Sequence, residues 1–119
     1  MKYKNSSFPF KGESHDFVHK GWKVIRKDLD DGILGEANDD GTIYIDESVK
    51  PGSKKEKAVL KHEDVHMDDM ASGDLAYTDT EVTWKGSKYD RKDGKVKYKG
   101  KWYDEGDHSL PWEKKAHNA

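Results

Sequence analysis

The sequence predicts a small α+β domain, and three features of the 119-residue chain indicate this fold class. Two strand-like segments flank a turn-rich segment, which predicts a hairpin early in the chain. A capped amphipathic helix follows, and a basic, aromatic region of short strands precedes a short C-terminal helix. We therefore expect a short antiparallel sheet with one long and one short helix. These elements form a single domain over residues 17–119, after a flexible N-terminal arm over residues 1–16.

The composition indicates a thin hydrophobic core. Charged residues make up 39% of the chain and hydrophobic residues 32%, and Leu, Ile, Val and Phe together number only 19. Four Trp and six Tyr add apolar surface, and the net charge of −2 does not force disorder. The absence of Cys excludes disulfides, thiolate metal sites and Cys nucleophiles, and leaves His, Asp and Glu as the strong metal ligands.

No segment of the sequence has the pattern of a targeting or membrane-spanning element. Residues 1–8 contain no apolar run like that of a signal peptide, and no stretch approaches the length of a membrane span. We expect a soluble, cytoplasmic protein without a membrane partner.

Three strands are predicted before the long helix. In residues 22–26, Trp22 and Val24 alternate with charged side chains, as in a half-buried strand. Residues 33–37 and 42–46 flank the sequence Asn-Asp-Asp-Gly at positions 38–41, a run of turn-forming residues. This pattern predicts a hairpin.

The long helix is predicted to start at Ser53 and to stop near Met70, before Ser-Gly-Asp at positions 72–74. Ser53 and Glu56 have the spacing of a capping box. At 100° per residue, the apolar side chains share a wide, buried face with the His-Glu-x-x-His residues of positions 62–66. The opposite, water-facing stripe consists of Lys61, Asp64 and Asp68.

The last forty residues predict short strands and a second helix. Residues 84–90 and 98–104 have similar sequences, which indicates two similar strand-and-turn units with a turn at 93–94 between them. Ser109 is the expected N-cap of a short helix over residues 111–119 that begins with Pro.

His62, Glu63 and His66 form an H-E-x-x-H motif. On a helix, two His four residues apart lie on one face, so both imidazoles can reach one ion. Glu63 is rotated by about 100° from His62 and falls beside the metal, where its carboxylate can act as a general base. The motif therefore predicts a zinc site that activates water for hydrolysis.

A catalytic zinc needs a third protein ligand. Asp69 and Ser72 occupy the positions where a metzincin has Gly and His, which excludes that subclass. Glu113 is the candidate third ligand because it opens the second helix. The rival candidates are His117, His108, Asp104 and Glu105.

This order of elements resembles the minimal zincin domains of the ImmA/IrrE type. The amino-acid sequence of residues 41–46, 62–69 and 110–116 is also similar to that of small metallopeptidases encoded by bacteriophages. The resemblance covers about residues 22–118.

The resemblance implies a zincin-like metallopeptidase of the gluzincin kind. His62, His66 and Glu113 would be the zinc ligands and Glu63 the general base. It also implies the cytoplasm of an infected host, or a virion, as the location. One departure is Lys115, since relatives often have a second acidic residue at this position.

A metallopeptidase of this kind would act on a peptide or protein. Tyr77, His108 and His117 are candidates for the donor that stabilises the oxyanion. Residues 42–46 are the expected strand edge for an extended substrate.

Residues 84–103 offer a competing interpretation as a nucleic-acid-binding module. Residues 85–101 contain eight basic and two acidic residues, interleaved with aromatic residues. The more ordinary interpretation of this pattern is the solvated face of a thin sheet. A structural zinc protein without catalytic activity is a further alternative.

Overall fold

The computed structural model describes residues 2–6 and 17–119, and these residues form an α+β fold with two five-stranded sheets and two helices. The strands are β1 (Lys2–Ser6), β2 (Phe17–His19), β3 (Trp22–Lys27), β4 (Ile33–Asn38), β5 (Thr42–Asp46), β6 (Leu75–Tyr77), β7 (Glu81–Trp84), β8 (Ser87–Lys92), β9 (Lys95–Tyr98) and β10 (Lys101–Asp104). The helices are α1 (Lys54–Ser72) and α2 (Pro111–His117).

The first sheet is mixed, with the strand order β1-β4-β5-β3-β2. The predicted hairpin of β4 and β5 is confirmed, with Gly35 opposite Ile45 and Ala37 opposite Ile43. The expectation of a purely antiparallel sheet is wrong, because β5 also pairs in parallel with β3, and β1 with β4. The strand β5 lies in the centre of the sheet and is shielded along both edges. This position agrees with its four consecutive buried residues, 42–45.

Part of the predicted N-terminal arm belongs to this sheet. Residues 2–6 form β1 along the edge of β4 that β5 leaves open. The pairing uses backbone groups, so it requires no apolar pattern that the sequence could reveal. Residues 1 and 7–16 lie outside the described residues, and the flexible-arm prediction stays untested there.

The helix α1 begins and ends at the predicted signals. The backbone N–H of Glu56 donates to Ser53 Oγ at 3.1 Å, and the Glu56 carboxylate accepts from the N–H of Gly52 at 3.2 Å. At the other end, Gly73 adopts a left-handed φ of 86°, and its N–H donates to the carbonyl of Met70. The cap and the stop are therefore local properties of the sequence.

The helix α1 packs against the first sheet to form one hydrophobic core. The predicted exposure of Asp64 is wrong, because this residue is buried. Its carboxylate lies 2.8 Å from His19 Nε2 and 3.3 Å from Lys20 Nζ. The turn between β2 and β3 therefore covers this part of the helix.

The second sheet is an antiparallel meander with the order β10-β9-β8-β7-β6. The two similar segments form the hairpins β7–β8 and β9–β10, and the predicted turn at 93–94 joins them. Each hairpin turns through a Lys-Gly pair with positive φ at both positions, at residues 85–86 and 99–100. Positive φ at both central residues is the geometry that suits a two-residue hairpin.

The helix α2 packs on the second sheet to form a second core. Trp112 contacts the rings of Trp84 and Tyr89, with centroids 6.2 Å and 5.5 Å apart. The predicted cap at Ser109 is wrong, because Leu110 is the N-cap residue and caps with no side-chain hydrogen bond. Pro at the first helical position fixes the cap one residue later than expected, and the buried Leu110 stabilises this end by packing.

The two cores meet at α1 and α2. Met70 of α1 packs against both cores, and the two helices contact each other. Within the described ranges, no helix is long and apolar enough to cross a membrane.

Candidate metal centre

Three ligand-type side chains meet where α1 and α2 touch. His62 and His66 lie one turn apart on α1, and Glu113 lies in the first turn of α2. Glu113 Oε1 is 3.0 Å from His62 Nε2 and 2.9 Å from His66 Nε2, and the two Nε2 atoms are 3.1 Å apart. All three residues are buried, so three ligand atoms surround one point in the interior.

The spacing and chemistry of these atoms fit a zinc ion. Two ligand atoms that lie about 2.0–2.2 Å from a tetrahedral zinc are roughly 3.3 Å apart. The observed separations of 2.9–3.1 Å are close to this value. In the appropriate tautomers, both Nε2 atoms and the Glu113 carboxylate oxygen present lone pairs to this point, and a cation placed there would accept all three.

The protonation states of the ligands also suit a metal. Burial lowers the pKa of His62 to about 4, although its hydrogen bond with Glu113 acts in the opposite direction. Burial favours the neutral form of Glu113, but its contacts with His66 and His62 outweigh burial and lower its pKa to about 2. At pH 7 His62 is therefore neutral and Glu113 ionised, which are the forms that bind metal.

Glu63 lies beside these ligand-type side chains and is fully buried. Its side chain has no exposed surface, and neither carboxylate oxygen has a hydrogen-bond partner within residues 2–6 and 17–119. One carboxylate oxygen lies within 4.8 Å of the ligand atoms of His62 and His66. Burial raises the pKa of Glu63 well above its ordinary value, and the nearby carboxylates of Glu113 and Glu36 raise it further.

Gly35 of β4 provides the space that Glu63 occupies. A Cβ at this position would lie 2.7 Å from Val59 Cγ1 and 2.9 Å from Glu63 Oε2. Both distances are shorter than ordinary carbon contacts. The absence of a side chain at Gly35 therefore lets α1 approach the first sheet with Glu63 on the packed face.

Lys115 connects the two helices that carry the ligands. Its ammonium group donates to Asp69 Oδ1 at 2.5 Å, and Asp69 is buried on α1 one turn after His66. The same ammonium group lies 5.8 Å from the centre of the Trp84 ring. Lys115 thus holds α2 against α1 and does not compete with Glu113 for the ligand position.

Of the rival candidates for the third ligand, the two histidines lie near the site and the two acids do not. The His117 ring lies against His62 with centroids 4.5 Å apart, and His108 lies beyond it, 5.8 Å from His117. The acidic rivals have other partners, since Asp104 accepts from Lys95 at 3.1 Å and Glu105 pairs with Arg91. The ligand groups found among the described residues contain neither acid.

Two expectations about substrate binding are also resolved. Tyr77 is buried in the second core under Arg91, so it is not part of the candidate metal site and does not serve there as an oxyanion donor. The strand over residues 42–46 is not a free edge, because β5 is paired on both sides. The expected free edge at residues 42–46 is therefore wrong, because β5 occupies the centre of the sheet.

The basic and aromatic residues of the second sheet do not form one continuous surface. Tyr89, Tyr98 and Tyr103 pack against the second core, whereas Trp102 is 45% exposed. Acids lie among the lysines of the exposed face, and Lys88 approaches Glu81 at 3.9 Å. The arrangement is that of a solvated sheet face with its rings turned inward.

The sequence carried weak or no signals for the residues that support the site. A Gly within a strand pattern indicates close backbone approach, so Gly35 could have been found. The contact between Asp69 and Lys115 joins residues 46 apart and has no local signature.

The comparisons with known proteins found no match for this chain. No protein-family model matches the sequence, and neither the curated proteins nor the solved structures contain a significant match. The function must therefore be argued from the geometry of the site.

Proposed function

We propose that this chain is a zinc-dependent metallopeptidase with a zincin-like site. His62, His66 and Glu113 hold the ion, and Glu63 is the general base. One observation carries the proposal: three buried ligand atoms lie 2.9–3.1 Å apart, and a buried carboxylate without a hydrogen-bond partner in the described part of the chain lies beside them. A structural metal site requires no such carboxylate.

The ligand side chains are prepared for the metal. His62 is neutral and Glu113 ionised at pH 7, so neither must lose a proton when the ion binds. When bound, zinc supplies a Lewis acid that polarises a peptide carbonyl and lowers the pKa of water toward neutrality. The Lys115–Asp69 contact keeps Glu113 close to the histidines of α1.

Glu63 handles the proton in this proposal. Its pKa is raised by burial, so its carboxylate, once ionised, is a stronger base than an exposed carboxylate. A divalent cation held by the neighbouring ligands favours this ionised form. The carboxylate takes one proton from the attacking water as the C–O bond forms, and it returns that proton to the departing amine as the C–N bond breaks.

A structural zinc protein is the second candidate, and the burial of all three ligands favours it. The binding of nucleic acid has less support, because most rings of the second sheet face the core. Activity distinguishes the first two candidates, since a structural site predicts zinc without hydrolysis.

The test is a peptide-library digestion with the zinc-loaded protein, Glu63→Gln and the control Glu47→Gln, whose residue is exposed. We expect hydrolysis by the wild type and by Glu47→Gln that a chelator abolishes and zinc restores. Glu63→Gln should keep its zinc and lose activity by about 100-fold or more, the contribution of a general base. Equal activity of Glu63→Gln, or no cleavage by the zinc-loaded wild type, would refute the peptidase.

A further inference from the structure

A fourth ligand-type side chain adjoins the proposed metal site. One ligand atom each of His62, Glu113 and His117 lie within 4.8 Å of one another. The His117 ring meets the His62 ring edge to face, with an interplanar angle of 73°. His117 is the last residue of α2, one turn after Glu113.

The hydrogen bond of His117 identifies its protonated nitrogen. His117 Nε2 lies 2.9 Å from the carbonyl oxygen of Gly106. A carbonyl only accepts, so Nε2 carries the hydrogen, and Nδ1 of the neutral ring has the lone pair. A ring N–H that donates to a backbone carbonyl is the usual outer contact of a metal-binding histidine.

His117 also separates the buried ligands from solvent. His62 is only 3% exposed and Glu113 has no exposed surface, whereas His117 is exposed. The rings of His62, His117 and His108 follow one another outward from the site, with centroid separations of 4.5 Å and 5.8 Å. A ligand that approaches the ion along this row passes His117 immediately before it reaches the buried side chains.

We propose that His117 Nδ1 supplies a fourth protein ligand to the zinc, so that the resting centre is closed. Two ligands of a tetrahedral zinc are roughly 3.3 Å apart, and one ligand atom each of His62, Glu113 and His117 already lie within 4.8 Å of one another. Only a small movement of the His117 ring, with its hydrogen bond to Gly106 retained, is needed to bring Nδ1 to the ion. An incoming substrate then has to displace His117 to reach the ion. This inference rests on the metal site of the proposed function and not on its activity.

Zinc X-ray absorption of the reconstituted wild-type protein tests the proposal without a substitution. We expect three imidazoles and one carboxylate around the ion. Competition with a chromogenic chelator measures the zinc affinity of His117→Ala and of the control His108→Ala, whose ring is the next one outward. His117→Ala should bind zinc at least about 10-fold more weakly, and His108→Ala should bind like the wild type. Added imidazole should restore the affinity of His117→Ala.

Two results would overturn the proposal. A wild-type spectrum with two imidazoles, or an unchanged affinity of His117→Ala, would remove His117 from the ligand set and leave the three-ligand peptidase intact. No zinc in the wild type would overturn this inference and the proposed function together. The absorption spectrum decides the matter even if His117→Ala fails to fold.

Discussion

Glu63 is the residue whose surroundings most restrict its chemistry. It is fully buried, and no described residue donates a hydrogen bond to its carboxylate. An ionised carboxylate in such a place is costly unless a positive charge is near. Burial therefore favours the protonated form of Glu63 in the metal-free protein and raises its pKa above the ordinary value.

Glu63→Gln should stabilise the metal-free protein at pH 8 more than at pH 5. The folded-state pKa of Glu63 lies above the ordinary value of 4.5, so the folded protein retains a proton that the unfolded chain releases. The stability of the wild type therefore falls as the pH rises from 4.5 through the folded-state pKa. Gln does not ionise, so the stability difference between Glu63→Gln and the wild type should grow as the pH rises.

Thermal unfolding in a chelator at both pH values measures this difference. Asp68→Asn, an exposed substitution on the same helix, is the control. Identical pH dependence of Glu63→Gln and the wild type would show that Glu63 is not the buried acid described above.

Gly35→Ala should destabilise the protein by about 1–3 kcal/mol, because the added methyl group overpacks a tight contact. The new Cβ would lie 2.7 Å from Val59 Cγ1. In a Val59→Ala background that atom is absent, so the added cost of Gly35→Ala should be smaller. Urea unfolding of the two single variants and the double variant measures the coupling. Strictly additive costs would contradict this explanation.

At the level of elements, the polar contact between Lys115 and Asp69 is one of the contacts that hold α2 against α1. Asp69 is 3% exposed, so its carboxylate needs the Lys115 ammonium group at 2.5 Å. The same helix carries Glu113, and a displaced α2 would take that residue away from the histidines.

Lys115→Met should therefore reduce both stability and zinc affinity. Leaving a buried carboxylate without its partner costs about 1–3 kcal/mol. Lys114→Met, at the exposed neighbouring position, should change stability by less than about 0.5 kcal/mol. Asp69→Asn combined with Lys115→Met should recover part of the loss. Denaturant unfolding and chelator competition provide the values, and equal effects of the two Lys variants would rule out the contact as the cause.

The elements that the sequence predicted correctly have short-range signals. Ser53 and Glu56 cap α1 from three residues apart, and Gly73 stops it. The turn residues 38–41 likewise fix the hairpin of β4 and β5. Each signal acts within a few residues, so the pattern alone is sufficient.

The features that the sequence did not predict depend on long-range packing. The parallel pairing of β5 with β3 leaves no local pattern, and the burial of Asp64 depends on His19, 45 residues away. The same limit holds at the site. Helical spacing brings His62 and His66 together, but Glu113 lies 51 residues from His62 and was one of several candidates on sequence grounds.

For the whole molecule, the candidate metal centre joins two separate cores. One core lies between the first sheet and α1, and the other between the second sheet and α2. A metal with ligands from both helices would link these cores, which matters in a chain with few aliphatic residues.

Zinc should consequently raise the unfolding temperature of the whole chain in one cooperative transition. At a free zinc concentration 100 times the Kd, the expected gain is about 2.7 kcal/mol. Glu113→Ala should lose most of this gain, and magnesium should not replace zinc. Calorimetry with and without zinc measures the effect. An equal zinc effect in Glu113→Ala would mean that the ion does not bridge the helices.

The metal content of the purified protein tests the central claim most directly. Mass spectrometry of the wild type, His66→Ala and Glu113→Ala after zinc reconstitution gives the number of ions per chain, with Asp68→Asn as the control. We predict one zinc per chain in the wild type and in Asp68→Asn, and none in the two ligand variants. Zinc retained in Glu113→Ala, or no zinc in the wild type, would contradict a centre built from His62, His66 and Glu113.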